Sequence, residues 1–138
     1  MKFPEWLRVY GDTKYRGPCP QESAEQVTFF GRVRTVYPLT YGRIALHPRN
    51  EGKRSYGQVW RQKAEGMSDG AVDIVIPTGF ACELKRLDHT VCRWQDNQLE
   101  YLEAVHNMGG FACVALGWEA AWEALHDWIK YETASSTR

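Results

Sequence analysis

A mixed β-sheet flanked by helices is the fold class that this 138-residue chain predicts. Three observations carry it. Apolar residues recur at helical spacing near 21–36, 94–108 and 118–130, and two β-rich runs, 71–76 and 80–85, are joined by Pro77-Thr78-Gly79. A third apolar run, 111–116, lies between the last two helices and reads as a buried strand. The order is helix, strand, strand, strand, helix, strand, helix, and at roughly 100–200 residues per domain it fills one domain.

Taken in order, residues 1–20 hold Pro4, Gly11, Gly17, Pro18 and Pro20, which predicts an irregular arm. From Gln21 to Val36, Val27, Phe30 and Val33 recur every three positions, a helix that Pro38 closes. Arg43-Ile44-Ala45-Leu46-His47 alternates and predicts a strand, with a loop from His47 to Gly52. Ser55 to Ala64 suits a short helix. The 71–76 and 80–85 runs form a hairpin through a type I turn with a bulge, Gly79 taking the positive φ. Trp94 to Met108 is a helix ended by Gly109-Gly110, and Trp118 to Lys130 is the last one. Residues 131–138 read as a flexible tail and 21–130 as the domain itself.

Composition excludes several classes. With 43% hydrophobic residues and six Trp the chain can bury a core, so it is neither disordered nor fibrous. No run approaches the ~18 apolar residues of a membrane span, and no apolar segment follows Met1-Lys2-Phe3-Pro4-Glu5, so the expectation is an unexported, cytoplasmic protein. Cys19, Cys82, Cys92 and Cys113 form no Cys-x-x-Cys pair, which leaves reduced, mostly buried thiols. The formal charge of zero hides a segregation. Residues 32–63 carry eight Lys/Arg against Glu51 alone, and residues 64–138 carry five against twelve acids. The basic block suits phosphates; equally, it suits a solvated face paired with the acidic third.

Alternation on the hairpin sets Phe80, Cys82 and Leu84 on one face and Glu83 and Lys85 on the other, with Val72, Ile74 and Ile76 opposite to Asp73. Pairing Ile76 with Phe80 across the turn puts Asp73 opposite Glu83. Opposed like charges are destabilising, and a divalent cation compensates them; oxygen ligands of this kind suit Mg²⁺ or Mn²⁺. The plain alternative is a solvated sheet face screened by Lys85. On the first helix, at about 100° per residue from Phe30, Gln26 falls at about −40° and Glu22 at about −80°, flanking the apolar stripe, while Glu25 at about −140° points away. Glu22 therefore wants a partner beneath it, or complements the helix dipole. Gln98 occupies a core-facing position in the stripe Trp94, Tyr101, Leu102, Val105 and Met108, so it either meets a backbone group or orients a site.

Glu22 on a helix, Gly70-Ala71-Val72-Asp73, then Glu83-Leu84-Lys85 resemble the PD-(D/E)XK nuclease superfamily, and within it the VRR-NUC domain, the virus-type replication-repair nucleases. The likeness runs from about Gln21 to Trp128 and takes in Arg49-Asn50-Glu51-Gly52-Lys53-Arg54, Glu65-Gly66, Arg86, Gln98 and Gly109. Val72 stands where the family usually has Pro. The resemblance implies a restriction-endonuclease-like α-β-β-β-α-β core with a C-terminal helix. It implies Mg²⁺, with Mn²⁺ able to substitute, held by Asp73, Glu83, the Leu84 backbone carbonyl and Glu22. Lys85 would position and help deprotonate the attacking water, and Gln98 would support the lysine or the phosphate. Arg49, Asn50, Lys53, Arg54 and Arg86 would meet nucleic acid. Stand-alone members, mostly from phages, resemble Holliday-junction resolvases. That implies a homodimeric endodeoxyribonuclease acting on branched DNA in a bacterial or phage-infected cell.

Two other classes fit the same residues. A non-catalytic nucleic-acid-binding protein would use the basic block and keep the acids as scaffold. An interaction protein would expose Trp118, Trp122 and Trp128, although their near-helical spacing favours core packing. Of the four histidines only His47 stays open, because it begins the loop expected near substrate.

Overall fold

The structure, a computed structural model, describes residues 1–48, 55–68 and 70–136. It is an α/β arrangement built on one four-stranded mixed sheet. In chain order the elements are β1 (Arg8–Tyr10), α1 (Glu22–Val36), α2 (Tyr41–Ile44), α3 (Tyr56–Ala64), β2 (Ile74–Ile76), β3 (Phe80–Lys85), a 3₁₀ turn at His89–Val91, α4 (Gln98–Asn107), β4 (Phe111–Leu116) and α5 (Trp118–Ser136). The strands lie in the order β1-β4-β3-β2, with β2 antiparallel to β3 and the other two pairings parallel.

β3 and β4 are buried at every position, as two central strands covered on both faces must be. Phe80, Cys82 and Leu84 join Phe29, Phe30, Val33, Leu125 and Trp128 in the larger core, so α1 and α5 cover that face. Ala81 instead joins Leu7, Leu102, Ala112 and Val114 in a smaller core roofed by α4 and the N-terminal arm. Glu83 and Lys85 alternate onto this second face. Packing of Trp128 and of the half-buried Trp118 and Trp122 into the larger core accounts for the last helix's tryptophans. Cys82 and Cys113 are buried thiols, and Cys19 and Cys92 are partly so.

Several expectations need correction. The arm is not wholly irregular: Arg8–Tyr10 forms a parallel strand on β4, made possible because Leu7 is 5% exposed in the smaller core. Instead of a strand, residues 43–47 give the end of α2 and then a single antiparallel bridge, Leu46 to Val75, closed by two N–H···O bonds of 2.9 Å. On α1, Val27 is 73% exposed, and the buried face runs through Glu25, Phe29, Phe30 and Val33. That shift of the buried arc puts Glu22, at about −80°, on its centre line. The hairpin keeps the expected register, Ile76 with Phe80 and Ile74 with Cys82. Its ladder stops at Ile74, however, and Val72 turns to the α4 face. Its turn is closed by Gly79 N–H to Ile76 O, with Thr78 at φ 96° and Gly79 at φ 132°. A positive φ at the third turn residue is the signature of type II, not type I. α4 begins at Gln98 rather than Trp94, Met108 is exposed, and α5 continues to Ser136 through much of the expected tail. No helix among the described residues is long and apolar enough to cross a membrane.

Candidate metal centre

Three segments deliver the acids. α1 presents Glu22 from its first turn, the residue before β2 presents Asp73, and β3 presents Glu83. One carboxylate oxygen from each lies within 4.8 Å of the other two. Glu83 Oε1 accepts the Asp73 N–H at 3.2 Å, and Asp73 Oδ2 accepts the Leu84 N–H at 3.0 Å, so the hairpin's own backbone orients both groups. Leu84 thus enters the site through its amide. The Leu46 bridge brings in His47, whose Nδ1 lies 2.8 Å from the Asp73 carbonyl oxygen.

Burial sets the electrostatics. Desolvation pushes the Asp73 carboxyl up to about 8 and the Glu83 charge adds to it, while the Leu84 N–H and a hydrogen bond with Glu22 pull the other way. Glu83, fully buried, is also raised by desolvation, partly offset by Asp73 and by the Lys85 charge. Lys85 Nζ, 2% exposed as a residue, sits 3.0 Å from Glu83 Oε2, donates to the Arg93 carbonyl at 2.9 Å and makes a long 3.5 Å contact to Gln98 Oε1. Trp94 lies beneath it, its ring centroid 5.8 Å from Nζ. Glu83 Oε2 and the ammonium thus form a buried ion pair.

The chemistry of the donor set tests whether a cation suits it. Glu22, Asp73 and Glu83, with one carboxylate oxygen each within 4.8 Å of the others, are hard oxygen donors that could hold a cation such as Mg²⁺ or Mn²⁺.

Gln98 meets a backbone group, the first of its alternatives. Its Oε1 accepts the Gln95 N–H at 2.8 Å and faces Lys85. Glu25 acts elsewhere. It is 5% exposed, accepts the Trp118 N–H at 2.5 Å and so caps the start of α5. Of the two glutamates, Glu22 lies in the acidic cluster and Glu25 at the start of α5. Arg86 spends Nε on Pro20 O at 3.0 Å and one terminal nitrogen on Cys19 O at 2.8 Å, strapping the arm to the end of β3. Arg49, Asn50, Lys53 and Arg54 lie outside the described residues. Sequence reasoning missed the Arg93 carbonyl, which carries no side-chain signal, and the Glu25 cap.

A cleft of about 390 Å³ opens on the Lys85 side, between Glu22, Arg86 and the 90–95 segment. A larger one, about 630 Å³, lies at the hairpin-turn end of the sheet among Thr78, Phe111 and Tyr131, away from the carboxylates. Compared with family models, curated proteins and solved structures, the chain matches none of them.

Proposed function

We propose that this chain is a Mg²⁺-dependent, structure-selective DNA endonuclease of the PD-(D/E)XK, VRR-NUC type, a homodimer that resolves branched DNA such as Holliday junctions. The observation that carries the reading is the convergence of Glu22, Asp73 and Glu83 beside a buried Lys85, in the order that the family resemblance implies. The restriction-endonuclease-like topology belongs to the same proposal, supported by the mixed sheet with helices on both faces.

Asp73, Glu83 and Glu22 would hold the ion, with the Leu84 carbonyl as the further ligand that the resemblance implies. When bound, magnesium supplies Lewis acidity at the scissile phosphate and neutralises charge developing on the leaving oxygen. The chain's own groups do the rest. Lys85, fixed by Glu83, Arg93 O and Gln98, holds positive charge beside the phosphate and the attacking water. Gln98 keeps the ammonium from turning away. His47 holds the Asp73 backbone, which keeps that carboxylate aimed into the cluster. Arg86 and the basic stretch 32–63 would meet the DNA backbone.

The experiment incubates the protein and Mg²⁺ with four-way junction, duplex, flap and single-stranded DNA, beside Asp73→Asn and Glu83→Gln. Preferential junction cutting that both substitutions abolish, with DNA affinity kept, is the expected result. No cutting of any substrate overturns the nuclease reading and leaves a binding protein. Equal cutting of all four, or a monomer by light scattering, overturns the resolvase part alone.

A further inference from the structure

A third cleft, of about 400 Å³, runs along α1 beyond Glu22, lined by Gln26, Val27, Phe30, Gly31, Arg34 and His47. It lies beside the carboxylate cluster, because His47 in its lining also meets the Asp73 carbonyl oxygen at 2.8 Å. Its chemistry is divided. Val27, Phe30 and Gly31 make an apolar floor. The Arg34 guanidinium lies over the Phe30 ring, 5.2 Å from its centroid, so a cation is already ordered at the rim.

Gly31 is the informative residue. It lies inside a fifteen-residue helix, where glycine is costly relative to alanine. Its backbone is not left-handed, and a Cβ placed on it would find no atom within 4 Å. Neither conformation nor packing asks for glycine here. What its missing side chain does is keep the floor of the cleft low and flat.

We propose that this cleft seats the base of a nucleotide flanking the scissile phosphate, laid on the Val27–Phe30–Gly31 floor with Arg34 at the adjoining phosphate. This inference rests on the nuclease reading above. A nucleotide combines a flat π-face with an anion, and the cleft pairs an apolar floor with a cation beside a candidate phosphate-cleaving centre.

The test is Gly31→Leu, which fills the floor with a good helix former in open space, so its thermal midpoint should equal or exceed that of the parent. Binding of a fluorescein-labelled four-way junction and single strand, read by anisotropy in EDTA, should weaken roughly tenfold, the scale of one lost base-stacking contact. In Mg²⁺ the cleavage KM should rise with kcat retained. Arg34→Gln should weaken binding less and flatten its salt dependence. Unchanged affinity in Gly31→Leu overturns the proposal. So does a parent dimer that Gly31→Leu converts to monomer, because the cleft's occupant is then a second copy of this chain. Should Gly31→Leu not fold, Gly31→Ala and the exposed Val27→Glu replace it, and parental affinity in both overturns the proposal. A parent protein that neither binds nor cuts DNA overturns the function itself, a pattern distinct from a parent that binds while its variants do so equally well.

Discussion

Removing the Lys85 ammonium would leave the Glu83 carboxylate buried with no counter-charge. Lys85→Met should therefore destabilise the fold by about 3–5 kcal/mol, the scale for breaking a buried pair from one side. The double variant Glu83→Gln/Lys85→Met should recover most of that in urea titrations, and a double variant no more stable than the single one would refute the pairing. Asp73 behaves in the opposite sense. Its carboxyl titrates near 8 in the fold and from 3.8 in the open chain, so the native state holds the extra proton between those values. Without metal, stability should fall as pH rises from about 4 to about 8. Asp73→Asn should flatten that slope and raise the melting temperature at pH 8, as scanning fluorimetry across pH would measure. Glu22 and Glu25 give a contrasting pair. Glu25→Gln weakens the α5 cap and should cost about 1–2 kcal/mol with Mn²⁺ affinity kept. Glu22→Gln should lose Mn²⁺ affinity, read by calorimetry, at little cost in stability.

Elements meet closely where the segment before β2 crosses the start of α4. Gly70, at φ +72°, backs onto Asn97, and a Cβ there would lie 2.3 Å from the Asn97 carbonyl atoms. Asn97 immediately precedes Gln98, which faces Lys85. Gly70→Ala should cost about 1–3 kcal/mol and displace Gln98, lowering kcat more than it raises KM. Much of this layer was legible in the sequence. Hairpin register followed from the Pro-Thr-Gly loop, and that register alone aligned Asp73 with Glu83. Strand β4 was legible because a six-residue apolar run suits a strand covered on both sides. The 43–47 segment was not, since its alternation reflects one bridge beside a helical turn rather than a ladder. The α1 face was misjudged because Val27, apolar but exposed, drew the stripe away from Glu25, a carboxylate buried by capping another helix. Such a role depends on Trp118, ninety-three positions away, and no local pattern encodes it.

Across the whole molecule, the arm ties distant parts together. Leu7 packs into the smaller core, Arg8–Tyr10 extends the sheet, and Trp94 donates to Lys2 O at 2.9 Å from beneath the Lys85 ammonium. Leu7→Ala should cost about 2–4 kcal/mol for the cavity alone. It should also raise amide exchange in the 89–95 segment, and protection unchanged there would show that the arm and that segment are uncoupled. The residues that seal the sheet's margins have one more consequence. Both outermost strands are only three residues long while the inner two have six, and Leu46 already occupies the free side of β2. So short a border offers an incoming backbone almost nothing to zip onto. Self-association by shared β-ladders, including the fibrous kind, is thereby discouraged, and a companion molecule must be recognised through side chains instead.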